Sequence, residues 1–152
     1  MEKRRLGSTD LMVSVIGFGG IPIQRKNKEE VIEIFGELIN KGINFVDTAR
    51  GYTISEELIG EALKVHGREN FILATKSMAR TSEGLHKEFK ISINNLGVES
   101  VDLFQFHNVK SEEEYETLIG EDGAYSAALE LKEKGLIVHI GITSHNKDCY
   151  LR

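Results

Sequence analysis

With one cysteine in 152 residues, Cys149, the chain can form no internal disulfide and no cysteine-rich metal site, and a reducing cytoplasm is the expected setting. Basic blocks are missing as well. The 19 Lys and Arg residues stand against 24 Asp and Glu, for a net charge of −5. Nothing clusters as a nucleic-acid surface would require, so no nucleic-acid partner is expected. No apolar run reaches the roughly 20 residues of a membrane-spanning helix. The most apolar stretch, Val13 to Ile23, is broken by Gly17, Gly19 and Gly20. Behind the basic start at Met1 to Arg5 there is no apolar core segment or small-residue cleavage site, so no signal peptide is expected. His66, His86 and His139 lack spaced carboxylate or cysteine partners, and no metal is expected.

What remains is ordinary for a soluble globular domain: 40% hydrophobic and 28% charged residues, in a length that suits one core. Strand-like and helix-like segments alternate. Val15 to Phe18 reads as a short buried strand closed by Gly19 and Gly20. Val31, Ile34, Phe35, Leu38 and Ile39 then make one apolar helical stripe, with a capping box at Asn27 and Glu30 and a stop at Gly42. Asn44 to Asp47 is the next strand. Leu58, Ile59, Ala62 and Leu63 mark a second helix, capped by Ser55.

Phe71 to Lys76 is a third strand, and Leu85, Phe89, Ile93 and Leu96 form a helix closed by Gly97. Val101 to His107 is a fourth strand. Ser111 to Glu114 reads as a solvated helix start, its acidic residues suited to the helix dipole. Ala124, Ala128 and Leu131 mark a helix with Gly135 behind it, and Val138 to Ile142 is the fifth strand. Arg4 to Leu11 reads as a β-hairpin outside this repeat. Apolar strands separated by amphipathic helices predict a parallel sheet with βαβ connections. A repeat of roughly 30 residues suits a barrel or an open doubly wound sheet, and the period does not choose between them.

Successive strands end in Asp47, Lys76 and His107, with Tyr52 in the loop after Asp47. Side chains at the C-terminal ends of parallel strands share one crevice or barrel mouth, so these four can converge on a pocket. Reducing a carbonyl needs a hydride at carbon and a proton for the developing alkoxide. A tyrosine hydroxyl could give that proton, with Lys76 drawing its pKa down, Asp47 holding the lysine, and His107 bonding the substrate oxygen.

The blocks Asp47-Thr48-Ala49-Arg50-Gly51-Tyr52, Leu73-Ala74-Thr75-Lys76 and Asp102-Leu103-Phe104-Gln105-Phe106-His107 resemble the catalytic tetrad blocks of the aldo/keto reductases. So do Gly17-Phe18-Gly19-Gly20, Ser55-Glu56 and Gly141-Ile142-Thr143-Ser144, all in family order. The resemblance implies the N-terminal half, about five β/α strands, of a (β/α)8 TIM-type barrel preceded by a hairpin. It implies Asp47, Tyr52, Lys76 and His107 as the catalytic set, with Tyr52 the general acid. It also implies a small-molecule carbonyl substrate and a nicotinamide cofactor, NADP(H) rather than NAD(H), held by Gly20, Asp47, Ser144 and Asn146.

Residues 1 to 152 are expected to form a single such domain, cut off after the fifth strand as a fifth helix should begin near Tyr150. A barrel of this family is roughly twice as long, and the loops for the cofactor pyrophosphate and adenosine are expected beyond Arg152. Arg50 to Thr53, Lys76 to Arg80 and Gln105 to Val109 are similar to a prokaryotic subgroup whose longer members often end in an iron–sulfur segment, which one cysteine could not ligate. Two other readings stand beside the reductase. One is a catalytically silent half-barrel that self-associates or binds partners through exposed strand edges. The other is a lyase using Lys76 as a Schiff-base nucleophile.

Overall fold

A computed structural model of the chain describes residues 1–147. Cys149 and the expected start of a fifth-unit helix near Tyr150 lie outside the described residues. Strands β1 (Lys3–Arg5) and β2 (Met12–Ser14) form an antiparallel hairpin with Arg4 opposite Val13. A parallel sheet follows, made of β3 (Phe18–Gly19), β4 (Phe45–Asp47), β5 (Ile72–Ser77), β6 (Val101–Phe106) and β7 (Ile137–Ile142). Its crossovers carry α1 (Lys28–Asn40), α2 (Ser55–His66), α3 (Ser82–Leu96), α4 (Glu112–Ile119) and α5 (Ala124–Glu133).

The spatial order of the sheet is β3-β4-β5-β6-β7, the same as the order in sequence. A doubly wound sheet reverses its strand order at a switch point; a barrel does not. The alternative that the repeat length left open is therefore decided. The chain forms five consecutive strands of a partial (β/α)8 barrel behind a hairpin. Among the described residues, no helix is long and apolar enough to cross a membrane.

Local chemistry explains most boundaries. Asn27 accepts from the Glu30 N–H at 2.9 Å while the Glu30 carboxylate accepts from the Asn27 N–H at 3.0 Å, so two orphan donors at the start of α1 are satisfied reciprocally. Gly97 ends α3 in the left-handed region, with φ +63°, where a side chain would be strained.

Two expectations need correction. The first barrel strand is not Val15 to Phe18: Val15 and Ile16 are exposed, and only Phe18 and Gly19 pair, with Val46 and Asp47. The Val15 N–H still bonds back to Glu2 O at 3.1 Å, so this apolar run is the exit from the hairpin. Nor does Ser55 cap α2. It is the first helical residue, and its hydroxyl donates to Gly20 O at 2.9 Å across to the loop after β3.

Alternation along the strands creates two faces. Val46, Leu73, Thr75, Phe104 and Phe106 face outward beneath the helices, where Val31, Phe35, Ile59, Leu85, Phe89 and Leu131 close the core. Phe45, Asp47, Ala74, Lys76, Leu103 and Gln105 share the inner face by register. The hairpin reaches over the far end of this face, where Asp10 meets His139 of β7 at 2.9 Å.

Candidate active site

Register places Asp47 opposite Ala74 and Lys76 opposite Gln105 on the inner face. The Lys76 side chain, 6% exposed, turns back toward Asp47 and donates to its Oδ2 at 2.5 Å and to Thr48 O at 2.8 Å. A buried ammonium needs such partners, since leaving one unpaired costs several kcal/mol. The other carboxylate oxygen of Asp47 accepts from Gln105 Nε2 at 3.1 Å. Gln105 was not singled out from the sequence as a site residue, although strand alternation put it on the same face as Lys76.

Tyr52 sits in the turn between β4 and α2, half-buried, with its N–H donating to Ala49 O at 3.0 Å. The Lys76 ammonium lies 5.3 Å from the centroid of its ring, and the His107 ring meets it edge-on at 5.6 Å. The four predicted catalytic side chains therefore converge at the C-terminal ends of neighbouring strands. Burial, and after it the Asp47 charge, pushes the Tyr52 phenol above its ordinary pKa. The expected depression by Lys76 does not appear, because Asp47 neutralises that ammonium and holds it against the face of the ring. Burial, then the charge of Lys76, pushes the His107 imidazole below its ordinary value, with Arg80 and His145 adding to this and Asp47 opposing it. His107 is accordingly neutral at pH 7, and its buried Nδ1 has no hydrogen-bond partner within the protein. A bound polar group would satisfy that atom.

The residues assigned by resemblance to the cofactor are placed differently from one another. Gly20 is buried, its N–H donating to Asp47 O at 2.8 Å and its carbonyl accepting from Ser55. A Cβ there would lie 2.5 Å from Ser55 Oγ and 2.9 Å from Thr48 Oγ1, so packing alone requires glycine. Both backbone polar groups of Gly20 already have a partner within the protein. Ser144 donates to Val109 O, and Asn146 donates through Nδ2 to Lys110 O at 3.2 Å. These two bonds tie the loop after β7 to the loop after β6.

A concavity of about 600 Å³ opens on the inner face, lined by Gly17, Phe18, Asp47, Lys76, Gln105 and Thr143 among others. It is of the size that small-molecule sites occupy. The open volume and the Asp47–Lys76 pair on its wall suit a small polar ligand. Among the described residues, no group of three or more His, Cys, Asp or Glu could hold a metal ion.

Glu56 belongs to the Ser55-Glu56 block of the family resemblance, but its partners were not legible in the sequence. It is fully buried at the first turn of α2, accepting from Arg50 Nη1 at 2.9 Å, Thr75 Oγ1 at 2.8 Å and Asn95 Nδ2 at 3.4 Å. It thus holds the Asp47–Tyr52 turn against α2, β5 and α3.

The model of the aldo/keto reductase family matches residues 15–149. An uncharacterized oxidoreductase of Bacillus subtilis, YqkF, is 32% identical over 95% of this chain and 49% of its own length. The NADH-specific methylglyoxal reductase of Escherichia coli is 29% identical over 97% of the chain and 53% of its own. Among solved structures, the holo form of the aldo-keto reductase AKR11C1 from Bacillus halodurans superposes with a TM-score of 0.85 at 30% identity. That match covers 99% of this chain and 53% of AKR11C1. The chain spans about half the length of the curated relatives it matches.

Proposed function

The chain belongs to the aldo/keto reductase family, and on that premise we propose that it carries the catalytic half of a nicotinamide-dependent reductase of aldehydes or ketones, with Tyr52 as proton donor. The observation that carries the reading is the meeting of Tyr52 with His107, rings 5.6 Å apart and edge-on, beside the buried Asp47–Lys76 pair. A bound reduced nicotinamide would supply the hydride. The chain's own residues do the rest. The Tyr52 phenol, held protonated by burial and the Asp47 charge, keeps its proton until an alkoxide, a far stronger base than a phenolate, develops beside it. Neutral His107 offers a hydrogen bond to the carbonyl oxygen and fixes it near the phenol. Lys76, held by Asp47 and Thr48 O, packs its ammonium 5.3 Å from the centroid of the Tyr52 ring and so fixes the orientation of the phenol.

Ser144, Asn146 and Asp47, with Gly20 in contact, would hold the nicotinamide end. Of the two cofactors the reading takes NADP(H) first. A relative named as an NADH-specific reductase makes NADH the control. The fit of a Schiff-base lyase is poor, because a lysine that donates to Asp47 and to Thr48 O is held as an ammonium and not as a free amine nucleophile.

One observation favours a second reading. Among the described residues, strands β3 and β7 each have a neighbour on one side only, and the inner face is open, which suits a half-barrel that pairs with another chain. Fluorescence titration of the 152-residue chain with NADPH and NADH tests the first reading, and light scattering on the same samples tests the second. Saturable binding supports the reductase. No binding at millimolar cofactor, with a soluble assembled species, would leave the silent half-barrel in its place.

A further inference from the structure

Arg80 stands three residues beyond the end of β5, and its side chain is 16% exposed. It never touches Tyr52 or Lys76 in any hydrogen bond of the described residues, yet it is bonded to the residue beside them. Its Nη2 donates to His107 O at 2.8 Å and to Asn108 O at 3.2 Å. Nη1 donates to Met78 O at 3.2 Å and Ala79 O at 3.4 Å. Nη2 also meets Glu114 Oε2 at 3.2 Å, and that same oxygen accepts the Lys110 N–H at 3.1 Å.

Two successive carbonyls can converge on one nitrogen only if the residue between them leaves the extended conformation. Asn108 does so with φ +54°, in the left-handed region that non-glycine residues seldom enter. Such a conformation persists where the surroundings over-determine it. Here the Arg80 fork collects the carbonyls, Thr143 Oγ1 accepts the Asn108 N–H at 2.9 Å, and Thr143 O accepts the Val109 N–H at 2.9 Å. The guanidinium bridges two pairs of carbonyls, His107 and Asn108 through Nη2 and Met78 and Ala79 through Nη1, which the single nitrogen of a lysine ammonium does not do.

We propose that Arg80 is a positioning residue for His107, gathering the carbonyls of the loop after β6 so that the imidazole meets Tyr52 in one orientation. Arg80 also puts a fixed cation near that imidazole. The charged and titratable groups around His107 are Asp47 and Lys76 from β4 and β5, Tyr52 from the turn, Arg80, and His145 from the loop after β7. The inference rests on the functional reading for its significance, but its test requires neither cofactor nor turnover.

The test is a histidine NMR titration of the whole chain, with His107→Asn assigning the resonance, together with amide hydrogen exchange. In the unaltered chain His107 titrates below its ordinary value. In Arg80→Gln it moves upward, and the Asn108 and Val109 amides exchange at least roughly tenfold faster. Arg80→Lys restores charge but not the fork, so the titration returns toward that of the unaltered chain while exchange stays fast. A folded Arg80→Gln with unchanged titration and unchanged exchange overturns the proposal. If Arg80→Gln does not fold, Arg80→Lys decides alone: faster exchange at Asn108 and Val109 supports it, and unaltered exchange sinks it. Failure of the cofactor titration would remove the reductase reading and leave this result standing.

Discussion

Asp47 and Lys76 come from adjacent parallel strands, and the lysine bends back along the inner face to meet the carboxylate at 2.5 Å. The pair is lopsided in burial: the lysine side chain is almost wholly enclosed and the aspartate about a third exposed. Removing the aspartate therefore strands a charge that water cannot reach, whereas removing both leaves no charge stranded.

For that reason Asp47→Asn should lower stability by about 1–3 kcal/mol, the usual cost of depriving a buried charge of its partner, discounted for the exposure of Asp47. Adding Lys76→Met should recover most of the loss. Urea unfolding of the four members of the cycle measures it. Additive losses would mean that the two side chains do not interact as the geometry indicates.

Glu56→Gln should be worse than its conservative chemistry suggests. The carboxylate is fully buried and serves Arg50, Thr75 and Asn95 together. A loss of about 2–4 kcal/mol is expected, and Arg50→Gln in the same chain should relieve part of it. Thermal unfolding with and without the second change reads this directly, and a Glu56→Gln chain as stable as the parent would contradict the network.

Tyr52→Phe keeps the ring against His107 and Lys76 and removes only the hydroxyl. On the proposed chemistry, turnover of a carbonyl substrate should fall by roughly 10²–10⁴-fold, the range of a lost general acid. Cofactor affinity should change little. Steady-state assays beside the NADPH titration separate the two effects, and full turnover in the phenylalanine variant would remove Tyr52 from its role.

His107 gives a pH dependence with a definite sign. Burial and Lys76 depress its pKa in the folded chain, so near and below its ordinary value of 6.5 the unfolded chain binds the proton more readily. Stability contributed by His107 is full above that pH and is lost as pH falls toward the depressed value. His107→Gln should flatten this part of the stability curve, from about the ordinary value of 6.5 downward. Denaturant midpoints across that window check it, and equal slopes in both chains would contradict the burial of the imidazole.

Much of the fold was legible in the residues because the relevant physics is local. The stripe from Val31 to Leu38 and the Asn27–Glu30 reciprocal cap required α1, and Gly97 required the end of α3, whatever packed around them. The misread segments are those where a distant partner decided the outcome. Val15 and Ile16 look like a strand by composition, but the hairpin holds their backbone. Ser55 looks like a cap, but Gly20 takes its hydroxyl.

The candidate site divides in the same way. Asp47, Tyr52, Lys76 and His107 could be named from strand ends and family blocks, since the position of a residue along a parallel strand follows from sequence alone. Their electrostatics could not. That Asp47 cancels the charge Lys76 would have lent to Tyr52 depends on two side chains meeting across strands. The distant partners of Gln105, Glu56 and Arg80 were not legible for the same reason, since Asp47, Thr75 and His107 lie 58, 19 and 27 residues from them. The repeat of strands and helices was a property of the sequence. Its winding as consecutive strands of a barrel, and the bonds that orient the four side chains, were decided only in the tertiary structure, because periodicity fixes which face a residue takes and not which residue it will meet there.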